Sequence, residues 1–423
     1  MRSSLRSASL ILVAALLLLL VGEALRVYWI MPFPGSQRGQ TLDLAFALHR
    51  GIWALRIAAG AVALWAAAQI LARGGRVARV ATVLALAGVG YFVYQVNGPM
   101  SAEVMFRQPQ RLTFVTARDL GMTGLGGTSG TTESSGSGGL PPAALVVGIE
   151  LADAQGRSQA RAYPIRYLGY HHQVRDLVAG QPVMVTYCTV CRTGRVYRPV
   201  VNDRVESFRL VGMDHFNAMF EDATTGSWWR QATGEAVTGA RQGQRLDEVP
   251  SRQMSWGAWA ALHPETDVMQ PDPQFAERYA RMAGFDDGTN ESTLTGRDPR
   301  SWQEKSWVVG VVSGGAGSQA RAFDWNELVR ERVITDRVGD RPVVLLLDAD
   351  DASFHAFEGA GLDLAPAADR ARFVDRATGT TWSAAGVALA GPRAGERLSP
   401  LPAYQEFWHS WRTFHPETTA RRN

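Results

Sequence analysis

The chain has 423 residues, with 43 Lys and Arg against 40 Asp and Glu and a net charge of +3. So small an excess over this length gives no electrostatic footprint for nucleic acid or another polyanion. Lys305 is the only lysine, a bias that reads as codon usage.

The chain opens with "ASLILVAALLLLLVGEALRVYWI" (8–30), long and apolar enough to cross a bilayer. Arg2 and Arg6 precede its leucine run in the manner of a signal peptide, but the small-residue cleavage pattern is not evident, and it reads as an uncleaved anchor. Two further spans are expected at 51–71, which carries Arg56, and at 80–96. Residues 1–99 are thus an all-α, three-helix transmembrane region. Arg73, Arg76 and Arg79 crowd the loop between the second and third spans. By the positive-inside rule that loop is cytoplasmic and everything after 97 lies outside, although Arg26, Arg38 and Arg50 run against the bias. The expected location is the inner (cytoplasmic) membrane, multi-pass, with a periplasmic soluble part.

Residues 100–142 include "TGLGGTSGTTESSGSGGLPP", a Gly/Ser/Thr-rich stretch that cannot build a core and reads as a flexible tether. The remainder repeats itself. The segment 146–188 aligns with 308–348, "DATTGSWW" (222–229) with "DRATGTTW" (375–382), and "LHPET" (262–266) with "FHPET" (414–418). The offset stays near 152 to 162 with the order kept, so 143–267 and 307–423 read as two pseudo-symmetric halves of a duplicated, β-rich α+β domain, with an insert at 268–306. Each half alternates apolar strands with one short helix and closes on a Trp-containing helix. The recurring tryptophans, Trp228, Trp229, Trp256, Trp259, Trp382, Trp408 and Trp411, are expected in the core, and His263 and His415, present in both halves, are expected to be structural.

The halves differ at one place. Cys188 and Cys191 correspond to Asp348 and Asp351, and His171 and His172 to Glu331 and Arg332. The first half is therefore expected to hold the site and the second mainly to support it.

"AYPIRYLGYHHQVRDLVAGQPVMVTYCTVCRTGRVY", "TTGSWWRQATGEAVTG" and "LDEVPSRQMSWGAWAALHPET" together resemble the domain-of-unknown-function 3179 family, closely over 145–265 and more loosely in the second half. The resemblance implies the domain and no reaction. By position it assigns His171 to the family's histidine and Cys188 and Cys191 to its cysteines. The chain departs from the family pattern at Arg175, Thr189 and Arg192, which stand where Asn, Pro and a small residue are usual.

Four readings of Cys-x-x-Cys compete. Two thiolates delivered by one strand suit tetrahedral zinc or Cu(I), with His171, His172 and His215 as candidates to complete the shell. The pair can instead cycle between dithiol and disulfide, with Arg192 and Arg195 supplying charge where a helix N-terminus is missing. An inert disulfide closing so short a loop restrains the unfolded chain little. Covalent haem needs His where Arg192 stands. No phosphate-binding Gly-rich loop, and so no nucleotide, is legible. The reading from sequence is a membrane-anchored protein with metal or thiol chemistry at Cys188 and Cys191. The alternative is a non-catalytic envelope scaffold that binds a protein partner the sequence does not name.

Overall fold

The computed structural model describes residues 2–37, 39, 41–121, 140–314, 319–359 and 361–421. Arg38 and residues 122–139 of the expected tether lie outside them. The chain divides into two compact units. The first comprises Met1–Arg107, Ser207–Arg230 and Glu235–Gln244, and the second Gln108–Glu206, Gln231–Gly234 and Arg245–Asn423. Residues 207–230 and 235–244, read from sequence as part of the first repeat, thus group with the N-terminal helices.

The first unit starts with three helices, α1 (Arg2–Tyr28), α2 (Leu42–Arg73) and α3 (Arg76–Asn97). All three are long and apolar enough to cross a membrane. Alanines make much of the seam, with Ala8 and Ala15 buried together with Ala59, Ala63, Ala66 and Ala67. Small side chains let helices approach where lipid offers no hydrophobic drive. At 32 residues, α2 is about 48 Å long, well over the roughly 30 Å of a hydrocarbon core. Its first two turns, "LDLAFALHR", have a different role. There Ala45 and Phe46 pack with Ile30, Val211, Met219 and Trp228. Those last three belong to a four-stranded antiparallel meander, Phe208–Asp214, Asn217–Asp222, Trp228–Arg230 and Ala236–Thr238. The Ile30 carbonyl accepts from the Met213 amide, 2.7 Å.

Arg26, one of the arginines that ran against the charge bias, and Arg56 have partners here. Glu23 is completely buried. It accepts from Arg56 at 2.5 Å, from Arg26 at 3.2 Å and from Asn97 at 3.2 Å, while both guanidiniums also donate to Asn97 Oδ1. One polar cluster therefore ties all three helices. Glu23→Ala should cost about 3–5 kcal/mol, because it leaves two guanidiniums buried without their carboxylate. A thermal melt of the full chain in detergent checks this, and adding Arg56→Leu should recover part of the loss.

The second unit is built of sheets. Phe114–Thr116, Asp267–Met269, Ser158–Pro164, Leu145–Ala152 and Ser251–Ser255 lie side by side in that order, as do Ala403–Phe407, Trp307–Val312, Ala320–Asp324 and Thr419–Ala420. Two three-stranded antiparallel sheets follow: Gln173–Val178, Gln181–Cys188 and Thr193–Tyr197, then Val333–Val338, Arg341–Leu347 and Phe354–Glu358. Short helices, Trp256–Leu262 and Trp408–Phe414, put Trp259 and Trp411 against the sheets. Gly148 and Gly310 are the residues beneath them, since a Cβ on either would fall less than 3.0 Å from the indole. His263 and His415 lie on those same rings, with centroids 4.1 and 3.9 Å away. All seven recurring tryptophans are buried, as expected. The observed class is three apolar helices followed by a β-rich part of several sheets.

Candidate functional site

Strand Gln181–Cys188 supplies a run of apolar residues, and Cys188 pairs across the hairpin with Thr193. The connecting turn, 189–192, holds Cys191. Every residue from Val183 to Thr193 is buried, and both sulfurs are fully enclosed. They are thiols, not a disulfide, and a hydrogen bond joins them.

Arg192 closes the turn in the left-handed region, φ 56°, where a side chain costs roughly 1–2 kcal/mol. Its guanidinium offsets this. It donates to Gln405 Oε1 at 2.8 Å, to the Phe285 carbonyl at 2.8 Å and to the Asp286 carbonyl at 3.0 Å. It also lies 3.7 Å from the Trp307 ring centroid. Arg192 is therefore a structural clamp on the turn, and its charge is spent on carbonyls rather than aimed at the sulfurs.

The charge beside the sulfurs comes from Lys305. Its ammonium donates to the Val190 carbonyl, inside the Cys-x-x-Cys turn, and to the Leu294 carbonyl, both at 2.6 Å. It lies 3.3 Å from His409 Nε2, which is 3.2 Å from the same Val190 oxygen. Ser410 is hydrogen-bonded to Cys191. Its hydroxyl donates to Glu406 at 2.9 Å, and Glu406 pairs with buried Arg195. The Phe407 amide donates to the Cys191 carbonyl at 3.0 Å.

These neighbours set the protonation states. Burial pushes the Cys191 thiol well up and Cys188 adds to that, while Ser410 and Lys305 pull against it. Burial lowers the Lys305 ammonium, with the cysteines opposing. Burial, then Lys305, bring His409 down to about 3, so it is neutral at pH 7. Burial therefore favours the neutral thiol of Cys191, with the Lys305 side chain opposing it.

The predicted histidines have the following contacts. His171 Nε2 is 2.8 Å from the Tyr279 hydroxyl, within a cluster that also holds Tyr170 and Phe275. His172 caps the helix Ile165–His171 in the left-handed conformation, with Nδ1 3.2 Å from the Tyr170 carbonyl. Burial brings it to about 4. His215, in the first unit, pairs with Asp214 at 2.6 Å. Among the described residues no three His, Cys, Asp or Glu side chains gather in a geometry that could hold a metal ion. The model for a family described as a protein of unknown function, DUF3179, matches residues 130–418. The chain belongs to the DUF3179 family. No curated protein and no solved structure matches it.

In this DUF3179 protein Lys305, Glu406, His409 and Ser410, near the sulfurs, all lie beyond residue 267, outside the segment expected to hold the site, and sequence reasoning missed them. One signal was available, that Lys305 is the only lysine in 423 residues.

Proposed function

We propose that the chain is a membrane-anchored thiol protein whose Cys188 and Cys191 cycle between dithiol and disulfide. The observation that carries this reading is the contact between the two thiols, with Lys305 held on the carbonyl between them. Cys191, the sulfur next to Ser410 and Lys305, is the attacking thiolate once deprotonated. It opens the disulfide of a small thiol, releasing one thiol. Cys188 then displaces the second thiol from the mixed disulfide, so two Cys thiols and one small disulfide give one Cys188–Cys191 bond and two small thiols. The sulfurs are enclosed, which favours a small redox partner over a protein one.

Two further readings accompany it. The soluble part lies outside the cytoplasm, where a disulfide persists, supported by Arg73, Arg76 and Arg79 at the facing ends of α2 and α3. The second half duplicates the first, supported by Gly148 under Trp259 and Gly310 under Trp411, and by the left-handed helix caps His172 and Arg332. A second reading, an inert thiol pair in a scaffold, is favoured by the complete burial of both sulfurs. Zinc or copper binding is the weaker reading, since among the described residues no three His, Cys, Asp or Glu gather in a geometry that could hold a metal ion.

The full chain, equilibrated with reduced and oxidised glutathione and then alkylated, should show a two-electron midpoint well above about −300 mV, the upper range of structural disulfides. Lys305→Met should slow thiol alkylation by about tenfold, an energy of about 1.4 kcal/mol, with the fold unchanged by circular dichroism. Two thiols that stay reduced at every ratio would sink the redox reading and leave the scaffold. Stoichiometric zinc lost in Cys188→Ser would restore the metal reading.

A further inference from the structure

The first unit contains a cavity of about 740 Å³ that the thiol chemistry does not use. It lies where α1 and α3 end and α2 begins, closed from the other side by strands Phe208–Asp214 and Asn217–Asp222. Its wall has two characters. Val27, Ile52 and Val93, from the apolar helices, form one part, next to Trp53, whose surface is 68% exposed. Cations dominate the other.

Four arginines line the wall: Arg26, Arg50, Arg56 and Arg209. Three carboxylates answer them. Glu23 takes Arg26 and Arg56, while Glu221 and Glu103 both take Arg209. One positive charge is left over. Among the described residues it is Arg50 that has neither a hydrogen-bonding nor an ion-pair partner. Beside it His49 turns Nε2 to Glu221 at 3.3 Å, and its Nδ1 is buried with no partner at all. A buried ring nitrogen without a partner in the wall of a polar cavity is a donor or acceptor awaiting a ligand.

We propose that this cavity binds the headgroup of an acidic phospholipid, with the phosphate on Arg50 and His49 and the acyl chains along the apolar wall of the helices. An unpaired guanidinium supplies the charge-assisted hydrogen bonds a phosphate oxygen takes. The volume falls in the range of sites for sizeable organic ligands and is far larger than a phosphate ion requires. An exposed Trp at this level is what a membrane–water interface selects.

Native mass spectrometry of the detergent-purified full chain tests it, titrating phosphatidylglycerol, phosphatidylcholine of the same chains, and soluble glycerol phosphate. Phosphatidylglycerol should bind at least about tenfold more tightly than phosphatidylcholine, which offers the same phosphate but adds a choline cation that the surplus positive charge of the wall repels. Arg50→Gln should abolish that preference, Arg50→Lys should keep most of it, and Arg76→Gln, at the other end of the helices, should keep all of it. Arg50 is exposed and unpaired, so its loss should not move the melting temperature. Equal affinity for the two lipids, or an unchanged preference in Arg50→Gln, would overturn the proposal. So would glycerol phosphate binding as tightly as the lipid.

Discussion

Gly310→Ala should lower the stability of the second unit by about 3 kcal/mol or more, the upper end of overpacking costs. Gly310 pairs with Ala322 on one neighbour and Tyr404 on the other, in the middle of its sheet, so the backbone cannot withdraw. The added methyl would meet three atoms of the Trp411 indole at under 3.0 Å. The indole cannot yield easily either. It is fully buried, its N–H donates to Thr418 at 2.8 Å, and His415 covers its other side. Gly148→Ala should behave alike, since Gly148 stands under Trp259 in the same way and Trp259 donates to Thr266 at 3.0 Å. For a unit of this size the loss corresponds to about 6–12 °C in Tm. Differential scanning fluorimetry of each variant checks it. Gly314→Ala, where a methyl meets no described residue but φ is +74°, separates steric clash from backbone strain and should cost about 1–2 kcal/mol. A Gly310→Ala loss no larger than that of Gly314→Ala would show that the indole shifts freely.

What the sequence made legible was local. Apolar runs gave the three helices, because span length and hydropathy need no tertiary information. The hairpin around Cys188 and Cys191 was readable because "PVMVTYC" is a buried strand by composition alone. The extension of α2 to Leu42 was not, because its first turns carry Asp43, His49 and Arg50 and owe their helicity to packing on Trp228. The pairing of Glu23 with Arg56, 33 residues away, was equally hidden. The surroundings of the thiols depended on contacts over more than 100 residues, from Val190 to Lys305 and from Thr193 to Ser410. A single sequence carries no signal for such pairs. Arg192 and Arg195 were named as charges for the sulfurs, and each is instead committed to other partners: Gln405 and two carbonyls for one, Glu406 for the other.

Acid should destabilise the second unit steeply between pH 6.5 and about 4. Burial, the largest cause in each case, holds His172 and His415 at about 4 and His355 and His409 at about 3. In the unfolded chain each titrates near 6.5. The unfolded state therefore takes up protons first as pH falls, so the contribution is fully present above 6.5 and lost as pH drops toward the folded values. Each histidine adds a slope of at most about 1.4 kcal/mol per pH unit. At pH 4.5 the nearly inaccessible His172 and His355 together account for about 5 kcal/mol, an order-of-magnitude figure. His409 and His415 are partly exposed and add less. Asp286, Glu248 and Asp348, raised by burial, oppose the trend. Against a typical 5–15 kcal/mol of total stability, the net effect should be large. His355 isolates the cause. Its ring lies parallel to Phe357 at 5.9 Å, its Nε2 is buried without a partner, and Arg252 discourages its protonation while Asp350 favours it. His355→Phe keeps the shape and removes the proton site. Urea unfolding from pH 7.5 to 4.5 should show the stability of the wild type falling by several kcal/mol and that of His355→Phe falling by about 2–3 kcal/mol less. Parallel curves for the two proteins would mean that His355 gains access to water before it protonates.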